Sequence, residues 1–295
     1  MNNKPYIEFK KERELGDILS DTFAFFRSEF KPFFSTIFKI IGPYLAVMLI
    51  CYGFYFYAYS GILNFTDMDA SPLSGFSPVL LIVVILGLVI SVVASYVMAQ
   101  ASILYYIKSY ANNRGQANFD EIKNNVYNNF WSFIGLGFLV ALSVGIGLLF
   151  CFIPGIYLYV PLALSFSIMV FNQKDVTDSY QYSFTLVKDN WWITFATLIV
   201  IGIIVSIASY AFSVPTAIYT WIKMGVFSGA VDAESVSSIG FDPVYIILNV
   251  LSAAVQFLLN MITVVASVFI YFNLNEKKNF TGTYEIIDNL GKSEE

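Results

Sequence analysis

The chain has 295 residues, of which 57% are hydrophobic and 13% charged, with a mean hydropathy of +0.68 and a net charge of −5. A soluble domain carries about 25% charged residues, so this composition argues against one, and no basic block points to a nucleic-acid partner. Histidine is absent, which removes the commonest general base, proton shuttle and transition-metal ligand.

Residues 1–14 (MNNKPYIEFKKERE) read as a solvated arm, and charge throughout the first 39 residues argues against a cleavable signal peptide. From Leu15 a stripe follows steps of three and four: Leu15, Ile18, Leu19, Thr22, Phe23, Phe26, Phe30, Phe33, Phe34 and Ile37. Asp17, Ser20, Asp21, Arg27, Ser28 and Lys31 take the other side. This pattern predicts an amphipathic helix in the headgroup interface, with Pro32 starting or kinking the next turn. Residues 1–39 therefore form a first segment, and a membrane domain follows over 40–275.

The first span is expected at 40–59, with tyrosines crowding its far end as at a membrane–water boundary. A loop over 60–77 carries Asp67 and Asp69, and a second span follows over 79–107. In it Gly87, Ser91 and Ser95 make a small-residue ridge suited to close helix packing. Asn118 and Glu121 predict a capping box, the Glu reaching back to the cap, for a second interfacial helix. Phe119, Ile122, Val126, Phe130 and Phe133 would line its apolar face.

Trp131 to Phe171 is a run of 41 residues with no charge, twice the roughly 20 needed to cross a bilayer. Pro154-Gly155 in its middle predicts a tight turn between spans at 131–152 and 155–171. Gly137, Ala141 and Gly145 repeat the small ridge. Asp175 is placed to cap a third amphipathic helix bearing Val176, Tyr180, Phe184 and Val187 on one side. Trp191-Trp192 mark the boundary of a fifth span, 191–212. Residues 213–242 read as the longest loop, with TAIYTWIKMGVF as a short helix on the membrane surface. Pro243 starts the sixth span, 244–272, and the tail 276–295 reads as soluble, with Tyr284, Ile286, Ile287 and Leu290 available to a partner. Cys51 and Cys151 both lie in apolar runs and read as small buried hydrophobes.

The expected fold is thus all-α and integral to the membrane: six transmembrane helices arranged as three repeats of an amphipathic interfacial helix plus a hairpin. Six crossings put both ends on one side. Fifteen of the 16 Lys and Arg residues then fall on that side, and only Lys223 lies opposite. The positive-inside bias makes the N- and C-termini cytoplasmic.

Chemistry inside a membrane needs a nucleophile, base or metal at depth. There is no HExxH motif, no Asp or Glu in any of the six expected spans, and no GxxxxGKS loop. Ion-coupled transport usually leaves an ionisable residue in the bundle, and none stands in the expected spans. The expectation is therefore no enzyme, no catalytic residue, no cofactor and no metal. The best polar feature is one face of the sixth span, where Asn249, Ser252, Gln256, Asn260, Thr263 and Ser267 recur at steps of three and four. It reads as a hydrogen-bonded packing seam, as a pocket for a polar or amphipathic molecule, or as a partner contact.

The run FIPGIYLYVPLALSFSIMVF, followed by a polar turn and DSYQYSFTLVKDNWWITF, resembles the membrane domain of some glycerophosphodiester phosphodiesterases and of related bacterial six-span proteins. Pro154, Gly155 and Trp191-Trp192 carry the likeness. The hydrolase domain of that family is absent, so its activity does not carry over. IEFKKERELGDILSDTFAFFRSEFKPFF and NLNEKKNFTGTYEIIDNLG look like a Bacteroidetes-type subgroup. The resemblance implies the inner membrane of a bacterium and a complex linked to a MoxR-like AAA+ ATPase. Together these readings suggest a non-catalytic subunit or scaffold of a multiprotein inner-membrane complex. A transporter or lipid-handling protein using the sixth-span face is the alternative.

Overall fold

The computed structural model describes residues 6–62, 78–150, 152–229 and 242–290. Residues 63–77 and 230–241, on which expected loops fall, and Cys151 lie outside them. Among the described residues all regular structure is helical. The helices are α1 (Leu15–Ile62), α2 (Pro78–Asn112), α3 (Phe119–Asn128), α4 (Phe130–Phe150), α5 (Phe152–Leu162), α6 (Ser165–Phe171), α7 (Val176–Val187), α8 (Trp191–Lys223), α9 (Pro243–Asn279) and α10 (Thr281–Leu290). Six helical stretches, two of them formed by α5 with α6 and by α7 with α8, are long and apolar enough to cross a membrane. The protein is an all-α membrane protein. By contact density the chain divides into a first unit (Met1–Ile40, Val97–Ile203, Met261–Glu295) and a second (Ile41–Tyr96, Ile204–Asn260).

Helix starts follow local chemistry. Pro78 and Pro243 each open a helix, where the missing N–H costs nothing. Asn118 caps α3, its Oδ1 accepting from the amides of Asp120 at 3.1 Å and Glu121 at 3.3 Å. Glu121 does not reach back to the cap as a capping box requires. Its carboxylate accepts from the Ser109 hydroxyl at 2.9 Å, and Ser109 Oγ takes the Asn118 amide instead. Asp175 holds the cap position of α7 but makes no side-chain bond to it.

Neither Pro32 nor Pro215 ends its helix. α1 runs through Pro32 as one 48-residue helix, and α8 runs through Pro215 to Lys223 rather than stopping at Phe212. A proline's φ fits a helix, so the loss is one hydrogen bond and some crowding. In α1, burial of Phe25, Phe33 and Ile37 around that point outweighs it. The buried face of α1 is also rotated from the expected stripe. It runs Ile18, Thr22, Phe25, Glu29, Phe33 and Ile37, while Phe23, Phe30 and Phe38 point outward. Glu29, only 6% exposed, accepts the Tyr106 hydroxyl at 3.2 Å.

The central hairpin turns earlier than expected. α4 ends at Phe150 and α5 begins at Phe152, so Pro154 and Gly155 sit inside the first turn of α5. Gly155 serves close packing instead: a Cβ there would meet Leu148 at 2.5 Å, and one on Gly147 would meet the Gly155 Cα at 2.9 Å. The tightest contact runs through Gly147 and Gly155; of the expected ridge, a Cβ on Gly137 would meet Phe166 of α6 at 3.7 Å, while Ala141 is exposed and a Cβ on Gly145 meets nothing within 4 Å.

The returning limb of the hairpin is broken between α5 and α6, two residues after Pro161. Pro161 has no N–H to give the Tyr157 carbonyl four residues earlier. The Trp191 indole Nε1–H donates to that carbonyl at 3.3 Å, and the two rings stack at 5.5 Å.

Candidate functional site

The expected polar face of the sixth span divides. In the second unit, Asn249, Ser252 and Gln256 on α9 line a cleft of about 370 Å³ together with Ser213, Thr216 and Thr220 on α8. Ser252 Oγ lies 3.2 Å from Thr216 Oγ1, and the Gln256 amide lies 3.5 Å from Ser213 Oγ. Asn249 turns its amide back to the Tyr245 carbonyl at 2.8 Å. Asn260 is exposed and bonds the Gln256 carbonyl of its own helix at 2.8 Å. Thr263 and Ser267 belong to the first unit, where Ser267 is buried against the Val264 carbonyl at 2.7 Å. A single helical stripe is thus part cleft and part buried seam.

The continuation of α8 past Pro215 completes this end of the second unit. Tyr219 and Lys223, one turn apart on the same face, converge on Asp242. The Tyr219 hydroxyl donates to Oδ2 at 2.7 Å, and Lys223 Nζ lies 2.9 Å from the same oxygen. Asp242 Oδ1 accepts the Val244 amide at 2.9 Å and so caps α9. These donors, the Tyr219 hydroxyl above all, hold the Asp242 carboxyl down to about 2. The one cation set apart from the others in the sequence is therefore ion-paired.

The first unit holds what sequence reasoning missed. The N-terminal arm is folded in rather than solvated. Phe9, 1% exposed, packs on Phe25, Phe269 and Phe272. Arg13, 4% exposed, donates to the Phe9 carbonyl at 2.7 Å, to the Glu8 carbonyl, and to Asp21 at 2.9 Å. Its amide donates to Asn273 Oδ1 at 2.8 Å. Burial pulls the Arg13 pKa down and Asp21 opposes this. The described part of the tail folds in as well, as the helix α10. Glu276 accepts the amides of Gly282 at 2.7 Å and Thr283 at 2.9 Å, capping α10 from a distance. Lys10 pairs with Glu285. Tyr284 and Ile287 are exposed, while the side chains of Ile286 and Leu290 lie outside the described residues. The signals were an isolated apolar Phe9 among charges and a Thr-Gly-Thr step soon after Glu276.

Two larger cavities belong to the same unit. A polar one of about 620 Å³ is lined by Tyr105, Lys108, Asn125, Asn129, Ser132 and Lys174, among others. An apolar groove of about 610 Å³ runs along Ile153, Ile156, Tyr157, Trp191 and Trp192, with Lys188 at its wall. Among the described residues no three His, Cys, Asp or Glu side chains gather as metal ligands would.

Comparison with known proteins adds nothing to this geometry: no family model, no curated protein and no solved structure matches the chain.

Proposed function

We propose that the chain is a non-catalytic integral membrane subunit, a scaffold of a multiprotein complex in a bacterial inner membrane. The observation that carries this reading is how the buried charges of the first unit are used. Arg13 folds the arm onto its own carbonyls and through its amide joins it to Asn273 of α9, and Glu276 ties α9 to α10, leaving Tyr284 and Ile287 outward on that helix. A rigid, aromatic-bearing surface suits a docking platform. The skew of Lys and Arg supports cytoplasmic termini, and the likeness of the two chain ends to a Bacteroidetes-type subgroup supports a complex linked to a MoxR-like AAA+ ATPase. Purification in mild detergent tests the reading. Membrane proteins at fixed stoichiometry are expected with the wild type and are lost on Tyr284→Ala with Ile287→Ala, while the variant stays folded. A wild type that purifies alone refutes it.

A transporter or lipid-handling role is favoured by a different observation, the cleft where Asn249, Ser252 and Gln256 face Ser213 and Thr216. Asn249→Leu with Gln256→Leu distinguishes the two. Loss of bound lipid or transported solute with folding and partners intact supports this second role.

A further inference from the structure

We propose that the 620 Å³ polar cavity of the first unit binds a phosphate-bearing anion through Lys108 and Lys174. Its volume falls in the range of small-molecule sites. Lys108, at the end of α2, is half-buried and spends one of its three donors on the Val170 carbonyl at 2.9 Å. Lys174 is brought to the wall by Gln173, whose left-handed backbone (φ +52°) turns the chain between α6 and α7. Lys174 lies over the Tyr182 ring at 4.7 Å and has no carboxylate within ion-pair reach among the described residues. Asp175, the one carboxylate lining the cavity, is exposed to solvent, where its charge is screened more than those of the half-buried lysines.

The remaining wall supplies neutral donors. Asn125, Asn129, Ser132 and Thr177 line it. Val176 and Thr177 are the first residues of α7, whose N-terminus receives no side-chain cap from Asp175. Unpaired first-turn amides favour an anion, and here they add to two lysine side chains that line the same cavity. Two lysines, four amide or hydroxyl side chains and the first-turn backbone amides of α7 match phosphate oxygens. The cavity also adjoins the membrane boundary. Ser132 follows Trp131, which is 78% exposed at the start of an apolar helix, where indoles settle among headgroups. A lipid headgroup and a soluble phosphate ester share the chemistry this cavity recognises.

The full chain, purified in detergent, is titrated with dioleoyl phosphatidylglycerol, with dioleoyl phosphatidylcholine as the zwitterionic control, and separately with inorganic phosphate and glycerol 3-phosphate. Thermal stabilisation is read, with Lys108→Gln, Lys174→Gln and Lys123→Gln compared. Lys123 is exposed and off the cavity, so it controls for simple loss of charge. Saturable stabilisation that weakens about tenfold in the first two variants and not in the third is expected. Phosphatidylglycerol alone giving that pattern assigns a lipid headgroup, and the soluble esters giving it assign a free phosphate. No saturable response to any probe, or equal weakening by Lys123→Gln, overturns the proposal. Should Lys108→Gln fail to fold, Lys174→Gln decides alone, and unchanged affinity there overturns it. The outcome is independent of whether the chain has protein partners.

Discussion

Gly282 is the residue on which the joining of the two chain ends turns. A Cβ at this position would lie 2.3 Å from the Lys10 carbonyl oxygen and 3.0 Å from the Lys10 Cβ. A carbon and a carbonyl oxygen approach to about 3.3 Å at closest, so Gly282→Ala forces roughly 1 Å of movement between two backbones. The gain in helix propensity from Gly to Ala is at most about 1 kcal/mol. Against it stands the Gly282 amide bond to Glu276 at 2.7 Å, of a type that contributes about 1.5–3 kcal/mol when the acceptor is charged. If the arm peels away, Phe9 is uncovered as well, for about another 1.5–3 kcal/mol. The clash therefore wins, with a net local destabilisation of about 2 kcal/mol or more. That raises the opened population about 30-fold. Trypsin cuts after Lys10 and Lys11, and cleavage under native conditions follows the opened population when reclosure is fast. Gly282→Ala is expected to speed N-terminal cleavage about 30-fold in detergent. Unchanged cleavage and unchanged thermal stability would refute the account of the arm as a packed element.

Three further outcomes are expected. Trp191→Phe removes the donor from the Tyr157 carbonyl and costs about 1 kcal/mol. Pro161→Ala supplies a backbone N–H to the same carbonyl, so the cost of Trp191→Phe shrinks in the Pro161→Ala background; a double-mutant cycle in detergent stability reads that coupling. Gly155→Ala pushes α4 from α5 and costs about 1–3 kcal/mol, whereas Gly145→Ala, open on all sides, is neutral or mildly stabilising by the same measurement. Asp242 has its pKa lowered to about 2 in the fold, against about 3.9 unfolded. Its contribution is therefore complete above about pH 4 and is lost as pH falls through about 2. The stability difference between wild type and Asp242→Asn is expected to hold from pH 7 to pH 4 and to close below it, and a difference that persists at pH 2 would contradict the clamp.

The membrane class, the all-α fold and most helix positions were legible in the chain alone, because the bilayer demands about 20 apolar residues per crossing and charge is costly at depth. Local caps were legible too where one side chain decides them, as at Asn118. Proline was the unreliable sign. Pro32, Pro161 and Pro215 all stay inside helices, where neighbouring packing outweighs one lost hydrogen bond, and the Tyr157 carbonyl that Pro161 leaves without a donor finds Trp191, 34 residues on in sequence. Which polar residues meet was decided by tertiary structure. Arg13 and Asn273 are 260 positions apart, and Lys108 and Lys174 share a cavity from different helices. Periodicity reports the faces of one helix, but a buried charge or a cavity exists only where separate segments converge, and no local pattern encodes that distance.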